Sequence, residues 1–308
     1  MIGPYETPQA FRNALEARLR TGAQERGLDL QRLQRQVAFE RLLARLFVGD
    51  DPLWLLKGGY ALELRLTDQA RSTLDLDMSV PEPERLALRA APGEELSATQ
   101  VVYERLQQAA HRNLNDGFEF LVGRPRGERT GAPRGGMRCS VEARVAGRRF
   151  ARFHLDMGLG DAVLGQPDWV EGRGFLDFAG IPAARIALYP VAQQFAEKVH
   201  AYTFPWQDRD NTRVKDLVDL VLLLRSGQLK PERVKQALRA TFEIRGTHSL
   251  PAQVPMPPLE WAEPYAALAG ELGLPALTLE EAHTCLDTPW KEWGLGELAE
   301  PKHQRRSV

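Results

Sequence analysis

Four carboxylates and two lysines stand out for their neighbours. Lys57-Gly58-Gly59 closes a short apolar run, Asp75-Leu76-Asp77-Met78 places two acids one residue apart, and Leu155-Asp156-Met157 sets a third acid between apolar residues. In a strand, residues i and i+2 share a face. Asp75 and Asp77 are therefore expected to project together while Leu76 and Met78 face the core. Adjacent carboxylates repel unless a cation lies between them. Mg²⁺ suits such a set, because it takes oxygen ligands and shares them with nucleotide phosphates; Mn²⁺ is the substitute. Asp156 on a neighbouring strand would complete a metal set of Asp75, Asp77 and Asp156, able to support in-line transfer of a nucleotidyl group. An Asp-x-Asp on an exposed strand is the plain alternative for the first pair.

Gly58-Gly59 opens a helix. Without Cβ atoms, the pair lets a phosphate approach backbone N–H groups at a helix N-terminus; an ordinary tight turn is the other reading. Lys57 is either a surface lysine or a phosphate contact. Further along, Glu197-Lys198 lies on an expected helix, and Arg213-Val214-Lys215-Asp216 opens another. Lys198 is a point charge suited to phosphates, and Asp216 could accept a proton from, or orient, an attacking hydroxyl. Arg213 and Lys215 could bind phosphate or acceptor. Leu217, Val218, Leu220, Val221 and Leu222 surround these charges with apolar neighbours, which argues against a merely solvated face. His154 and His200 read as packing or hydrogen-bonding histidines.

The elements that must position these residues follow from periodicity. Two helices are expected between Pro8 and Phe47, broken at Gly27 and Asp29, and another from Tyr60 to Leu66. Strands are expected over Thr73–Val80, Phe118–Val122, Met137–Val145 and Arg149–Met157, with a helix over Ala98–Asn113 and a loop or short helix from Pro83 to Gly93. Beyond Pro167 the strand signals fade. Helices are expected over Val191–Tyr202, Val214–Arg225, Pro231–Phe242, Ala262–Leu272 and Leu279–Leu286. Four prolines between Ser249 and Pro258 make that tract a rigid linker or lid. The organisation is a mixed α/β catalytic half, residues 1–165, followed by a helical half, residues 166–308, that completes the active site.

The 308 residues are 43% hydrophobic and 26% charged, the balance of a globular chain, and the formal charge of −1 gives no general affinity for nucleic acid. Between Gly123 and Arg152, however, nine arginines meet only two acids. Arg124, Arg126, Arg134 and Arg138 are the candidate RNA contacts of this segment; a solvated hairpin is the alternative. Cys139 and Cys285 form no Cys-x-x-Cys or Cys/His array, which excludes a zinc site of the usual spacing and fits a reducing cytoplasm. Neither an apolar leader nor a membrane-spanning run is expected from the sequence, and the basic end, Lys302–Val308, reads as a disordered tail.

Taken together, Leu56-Lys57-Gly58-Gly59, Arg71 to Asp77, Leu155-Asp156, Glu197-Lys198 and Arg213 to Leu220 resemble the AbiEii/AbiGii family of nucleotidyltransferase toxins, and within it the MenT-type toxins. The resemblance implies a DNA polymerase β-like nucleotidyltransferase core, a mixed sheet flanked by helices, with a helical C-terminal region. It implies a toxin neutralised by a separately encoded antitoxin, adding nucleotides from an NTP, often a pyrimidine, to the 3′ end of tRNA and so blocking aminoacylation. By motif match Asp75 and Asp77 bind metal, Lys198 contacts the nucleotide and Asp216 is catalytic. One departure is Gly58-Gly59-Tyr60 where many nucleotidyltransferases carry Gly-Ser, so backbone amides, or Ser72 and Thr73, must take over the phosphate contact. A phosphate placed on Ser72 or Thr73 would add charge beside the metal acids and is expected to inactivate. The other enzyme reading is transfer to a protein or small molecule. A binding module without catalysis is disfavoured, since every expected catalytic position is filled.

Overall fold

The computed structural model describes residues 2–66, 70–86, 97–126, 132–205, 213–274 and 278–299. The chain divides into two compact units. The first comprises Met1–Arg65, Ser72–Asp161 and Pro167–Leu188; the second comprises Leu66–Arg71, Ala162–Gln166 and Tyr189–Val308.

The first unit opens with two helices, α1 (Pro8–Arg26) and α2 (Leu30–Leu46). Thr7 caps α1 by accepting from the Ala10 N–H, Pro8 supplies a preset φ at its start, and Gly27 ends it in the left-handed region at φ 63°. Asp29 then caps α2 by accepting from the Arg32 N–H at 2.7 Å. β1 (Leu55–Lys57) runs directly into α3 (Gly58–Leu66), followed by β2 (Leu76–Val80), α4 (Ala98–Ala110), β3 (Phe118–Val122), β4 (Gly136–Val145), β5 (Arg148–Leu159), β6 (Asp168–Glu171) and β7 (Arg185–Leu188).

The seven strands among the described residues form one mixed sheet in the order β3-β4-β5-β2-β1-β7-β6. β2 runs parallel to β5 and β1 to β7, whereas the remaining neighbours are antiparallel. β4 alternates between buried odd-numbered and half-exposed even-numbered residues, from Met137 inward and Arg138 outward to Val145 inward. α2 covers the inward face, with the Phe39 ring edge-on to Phe153 at 4.8 Å. Charge is also locked inside this unit: Asp116 accepts from Arg45 at 2.7 and 2.8 Å and from Arg41 at 2.8 Å. Burial pushes the Asp116 carboxyl upward, but Arg45 and Arg41 outweigh burial and hold it below the usual range.

The second unit is helical, with α5 (Val191–Tyr202), α6 (Val214–Arg225), α7 (Pro231–Arg245), α8 (Ala262–Glu271) and α9 (Leu279–Glu292). A capping box between Thr278 and Glu281 starts α9, which continues past Pro289 and ends at Glu292, beyond the expected end at Leu286. The proline-rich tract is coil, fixed by Tyr202 donating to the Pro255 carbonyl at 2.7 Å and by His283 Nε2, 3.1 Å from the Val254 carbonyl.

The expected fold class, a mixed α/β core with a helical C-terminal region, is what forms. The division between units departs from the 165/166 boundary, because β6 and β7 pair with each other and β7 pairs with β1, so Pro167–Leu188 belongs to the sheet. Strand β2 also begins later than expected, at Leu76, leaving Asp75 in a bend ahead of it. Residues 87–93 of the expected loop, Arg129 and the basic end at 302–308 lie outside the described residues.

Candidate active site

Four charged residues line up across four strands of the first unit. Lys57 on β1 is opposite Asp77 on β2, Asp77 is opposite Asp156 on β5, and Asp156 is opposite Arg138 on β4. Neighbours in such a row stand about 5 Å apart and point to one face. That face is the one turned away from α2, since Asp156 alternates with Phe153. The row thus reads plus, minus, minus, plus, with the two carboxylates at its centre.

Asp75 joins this row from the bend. The Arg138 guanidinium contacts Asp75 through Nη2 and lies 2.9 Å from Asp156 Oδ1 through Nε. His154 Nδ1 is 3.4 Å from Asp75 Oδ1. The bend is fixed from below by Glu63, which sequence reasoning missed: its buried carboxylate accepts from the Thr73 N–H at 2.9 Å and from Gln36 at 2.5 Å. Thr73 in turn donates its hydroxyl to the Asp75 carbonyl at 3.2 Å. Only the position of Glu63 inside apolar α3 hinted at this role.

Gly58 is required here. Its φ is +70°, and a Cβ at this position would lie 2.2 Å from Asp77 Oδ2 and 2.7 Å from Asp77 Cβ. Any side chain would displace the central carboxylate. Lys57 does not extend freely toward a ligand; its Nζ is 2.5 Å from Asp161 Oδ2, which also accepts from Ser79 Oγ at 2.9 Å.

A second cluster lies within the second unit. Lys198 Nζ is 2.7 Å from both Asp216 Oδ1 and Asp219 Oδ2. Asp216 and Asp219 are one turn apart on α6, and the fully buried Asp219 also receives a two-pronged guanidinium bond from Arg71, at 2.9 and 3.0 Å. Arg213 Nη1 lies 3.5 Å from Asp216 Oδ2. Burial would raise the Asp219 carboxyl, yet Lys198 and Arg71 hold it below the usual range. Burial likewise works against the Lys198 ammonium, and Asp216 and Asp219 together raise its pKa. Asp219 is the residue of this cluster that sequence reasoning passed over, although its spacing of three from Asp216 placed both on one helical face.

The candidate RNA arginines separate into two sorts. Arg138 belongs to the carboxylate row, and Arg134 donates to Glu84 at 2.9 Å. Arg124 and Arg126 are exposed and make no ion pair among the described residues. Ser72 is exposed beside the half-buried Thr73. Cys139 and Cys285 are both free thiols.

The donor set of the row consists of hard oxygens, the chemistry that Mg²⁺ prefers. Among the described residues no group of three or more His, Cys, Asp and Glu is placed to hold a metal ion. Mg²⁺ in nucleotide enzymes is commonly held by one or two carboxylates with phosphate oxygens and water completing its shell, and Asp75 with Asp77 supplies that number.

Among the described residues no helix is long and apolar enough to cross a membrane. No curated protein matches the sequence. A protein-family model described as "Nucleotidyl transferase AbiEii toxin, Type IV TA system" matches residues 41–286, a span that takes in the glycine pair, the carboxylate row and the Lys198 cluster. The chain therefore belongs to the AbiEii family, nucleotidyltransferase toxins of type IV toxin–antitoxin systems.

Proposed function

We propose that this nucleotidyltransferase moves a nucleoside monophosphate from an NTP to the 3′ end of tRNA in a Mg²⁺-dependent reaction, and that the tRNA so extended can no longer be aminoacylated. The observation that carries the reading is the Asp77–Asp156 register pair with Asp75 beside it.

In this reading Asp75 and Asp77 hold Mg²⁺, and Asp156, whose Oδ1 lies 2.9 Å from Arg138 Nε, stands beside them as the expected third acid outside the pair of ligands. When bound, Mg²⁺ neutralises charge on the phosphates and polarises the α-phosphorus toward attack. Gly58 and Gly59 keep the start of α3 clear for the phosphates, and Ser72 and Thr73 stand in for the absent serine. Lys198 and Arg213 bind nucleotide phosphate. Asp216 takes the proton from the 3′-hydroxyl as the new O–P bond forms and the bond to pyrophosphate breaks. A pyrimidine NTP is the favoured donor by family resemblance, the cytoplasm is the compartment in which tRNA is met, and the partner that restrains the enzyme is its cognate antitoxin.

The test is incubation with total tRNA and each labelled NTP, in Mg²⁺ and in Mn²⁺. Label in tRNA that is lost with Asp77→Asn supports the proposal. Label on protein or small molecules alone would move the acceptor to the other enzyme reading, and no transfer from any NTP would end it.

A further inference from the structure

In the first unit the sheet face that carries the carboxylate row continues outward over β5 and β4, where Ser140, Glu142 and Arg144 are half-exposed. Register places His154 opposite Ser140, Arg152 opposite Glu142, and Arg149 opposite Arg144, all on the face of Asp156. Arg149, Arg152 and His154 are exposed. Arg144 is held by Glu142 at 2.6 Å, whereas Arg149 and Arg152 make no ion pair among the described residues. At the other side of β4 the chain leaving β3 stays in contact: the Gly123 N–H donates to the Ser140 carbonyl and the Arg126 N–H to the Arg138 carbonyl. This brings Arg124 and Arg126 to the end of the carboxylate row. Two pairs of guanidinium groups with no ion pair among the described residues therefore flank one solvent-facing surface, and that surface ends at the carboxylates.

We propose that this open face of β3–β4–β5 is the path of the RNA acceptor strand, with Arg149, Arg152, Arg124 and Arg126 as its phosphate contacts. The inference rests on RNA being the acceptor and adds where that RNA lies. Arg152 is four residues from Asp156, about 13 Å along the strand, so it meets a phosphate upstream of the terminus rather than the reacting group. Guanidinium groups without a carboxylate partner are the ones that release counterions when a phosphate arrives. A strand face also suits a single-stranded end, which is bound along an extended track. This surface was only partly indicated by the arginine-rich segment, because Arg134 and Arg138 of that segment are engaged elsewhere.

The experiment is fluorescence anisotropy of labelled tRNA with the full chain, without NTP, over a salt series. Arg149→Ser with Arg152→Ser is expected to weaken binding at least tenfold at low salt and to lower the log–log salt slope by roughly 1.5, near the 0.7–0.9 per phosphate contact known for nucleic acids. Arg124→Ser with Arg126→Ser is expected to do the same. Glu142→Gln, which removes a carboxylate lying between Arg144 and Arg152, is expected to tighten binding several-fold, a gain that unfolding cannot imitate. Wild-type affinity and slope in both double variants would overturn the surface while leaving tRNA as the acceptor. A change in self-association by sedimentation, with RNA affinity unaltered, would assign the face to a second copy of this chain and overturn the proposal. A wild-type chain that neither binds nor labels tRNA would remove the RNA reading and the surface together.

Discussion

Asp77 on β2 and Asp156 on β5 are direct partners in a parallel strand pair, so two carboxylates from segments far apart in sequence stand side by side on one face. Parallel pairing keeps their side chains level, and Asp75 and Arg138 close around them. Like charges at this spacing destabilise the fold unless a cation compensates them. Asp77→Asn should therefore leave the melting temperature unchanged or raise it, while lowering nucleotidyl transfer by at least about 100-fold, the scale seen when a single electrostatic contact to a transition state is removed. Thermal melts and initial rates on the same preparation check this; a variant that melts lower and keeps its rate would make Asp77 structural.

Gly58 links the backbone to that pair. Alanine at this position would bring a Cβ within 2.2 Å of Asp77 Oδ2 at a φ of +70°. The left-handed conformation alone costs about 1–2 kcal/mol for a residue with a Cβ, and the collision forces Asp77 to move. Gly58→Ala is expected to lower the melting temperature by several degrees, on the scale of about 2–4 °C per kcal/mol, and to reduce transfer more than tenfold. Undiminished transfer would show that Asp77 can shift without harm.

Much of this was legible in the sequence, for reasons tied to particular residues. Helices α5 and α6 follow apolar periodicity and start where Pro190 and Arg213 stand, and β3 and β4 alternate cleanly. β6 and β7 were not legible: each has four residues, and Ile186-Ala187-Leu188 is a buried run without alternation, indistinguishable by pattern from a piece of helix. At the site, Asp77 and Asp156 could be singled out by their apolar flanks, but their adjacency depends on β2 and β5 pairing, which no local pattern encodes. Arg138 looked like one arginine among nine, and only register with Asp156 separates it from the rest.

Lys198 sits between Asp216 and Asp219, and removing Asp219 would leave Lys198 and Arg71 short of a buried partner. Breaking a buried ion pair from one side costs about 3–5 kcal/mol. Asp219→Ala is expected to destabilise the chain on that scale in urea unfolding, whereas Asp216→Asn, at the less enclosed end, should affect transfer more than stability. Equal stability of the Asp219→Ala variant and wild type would mean that the network holds no structure together.

Thr73 donates its hydroxyl to the carbonyl of Asp75, two positions on and one of the acids proposed to hold Mg²⁺, at 3.2 Å. Added negative charge here opposes the approach of nucleotide phosphates and distorts the bend. Thr73→Glu is expected to cut transfer at least tenfold, and Thr73→Ser, which keeps the hydroxyl, to retain it. Rates measured across Mg²⁺ concentrations decide; turnover of Thr73→Glu equal to wild type would detach this residue from control of the site.

His200 gives the second unit its own pH dependence. Burial, with His248 and Arg245 adding positive potential, pushes its pKa from 6.5 down to about 3. Its Nε2 lies 2.8 Å from Thr247 Oγ1, and its ring stands 4.5 Å from His248 and 5.0 Å from Phe242. The folded chain therefore keeps this ring neutral at a pH where the unfolded chain protonates it. Its contribution to stability is complete above about pH 6.5 and is lost as pH falls from there toward 3, by at most about 1.4 kcal/mol per pH unit from this one group. Asp116 and Asp219, held low by their cations, add a further loss only below about pH 4. Urea unfolding at pH 7.5, 6 and 5 should thus show a decline in wild type that His200→Gln flattens, with a residual slope from His248, whose pKa burial also lowers. The same slope in variant and wild type over that range would exclude His200 as its source.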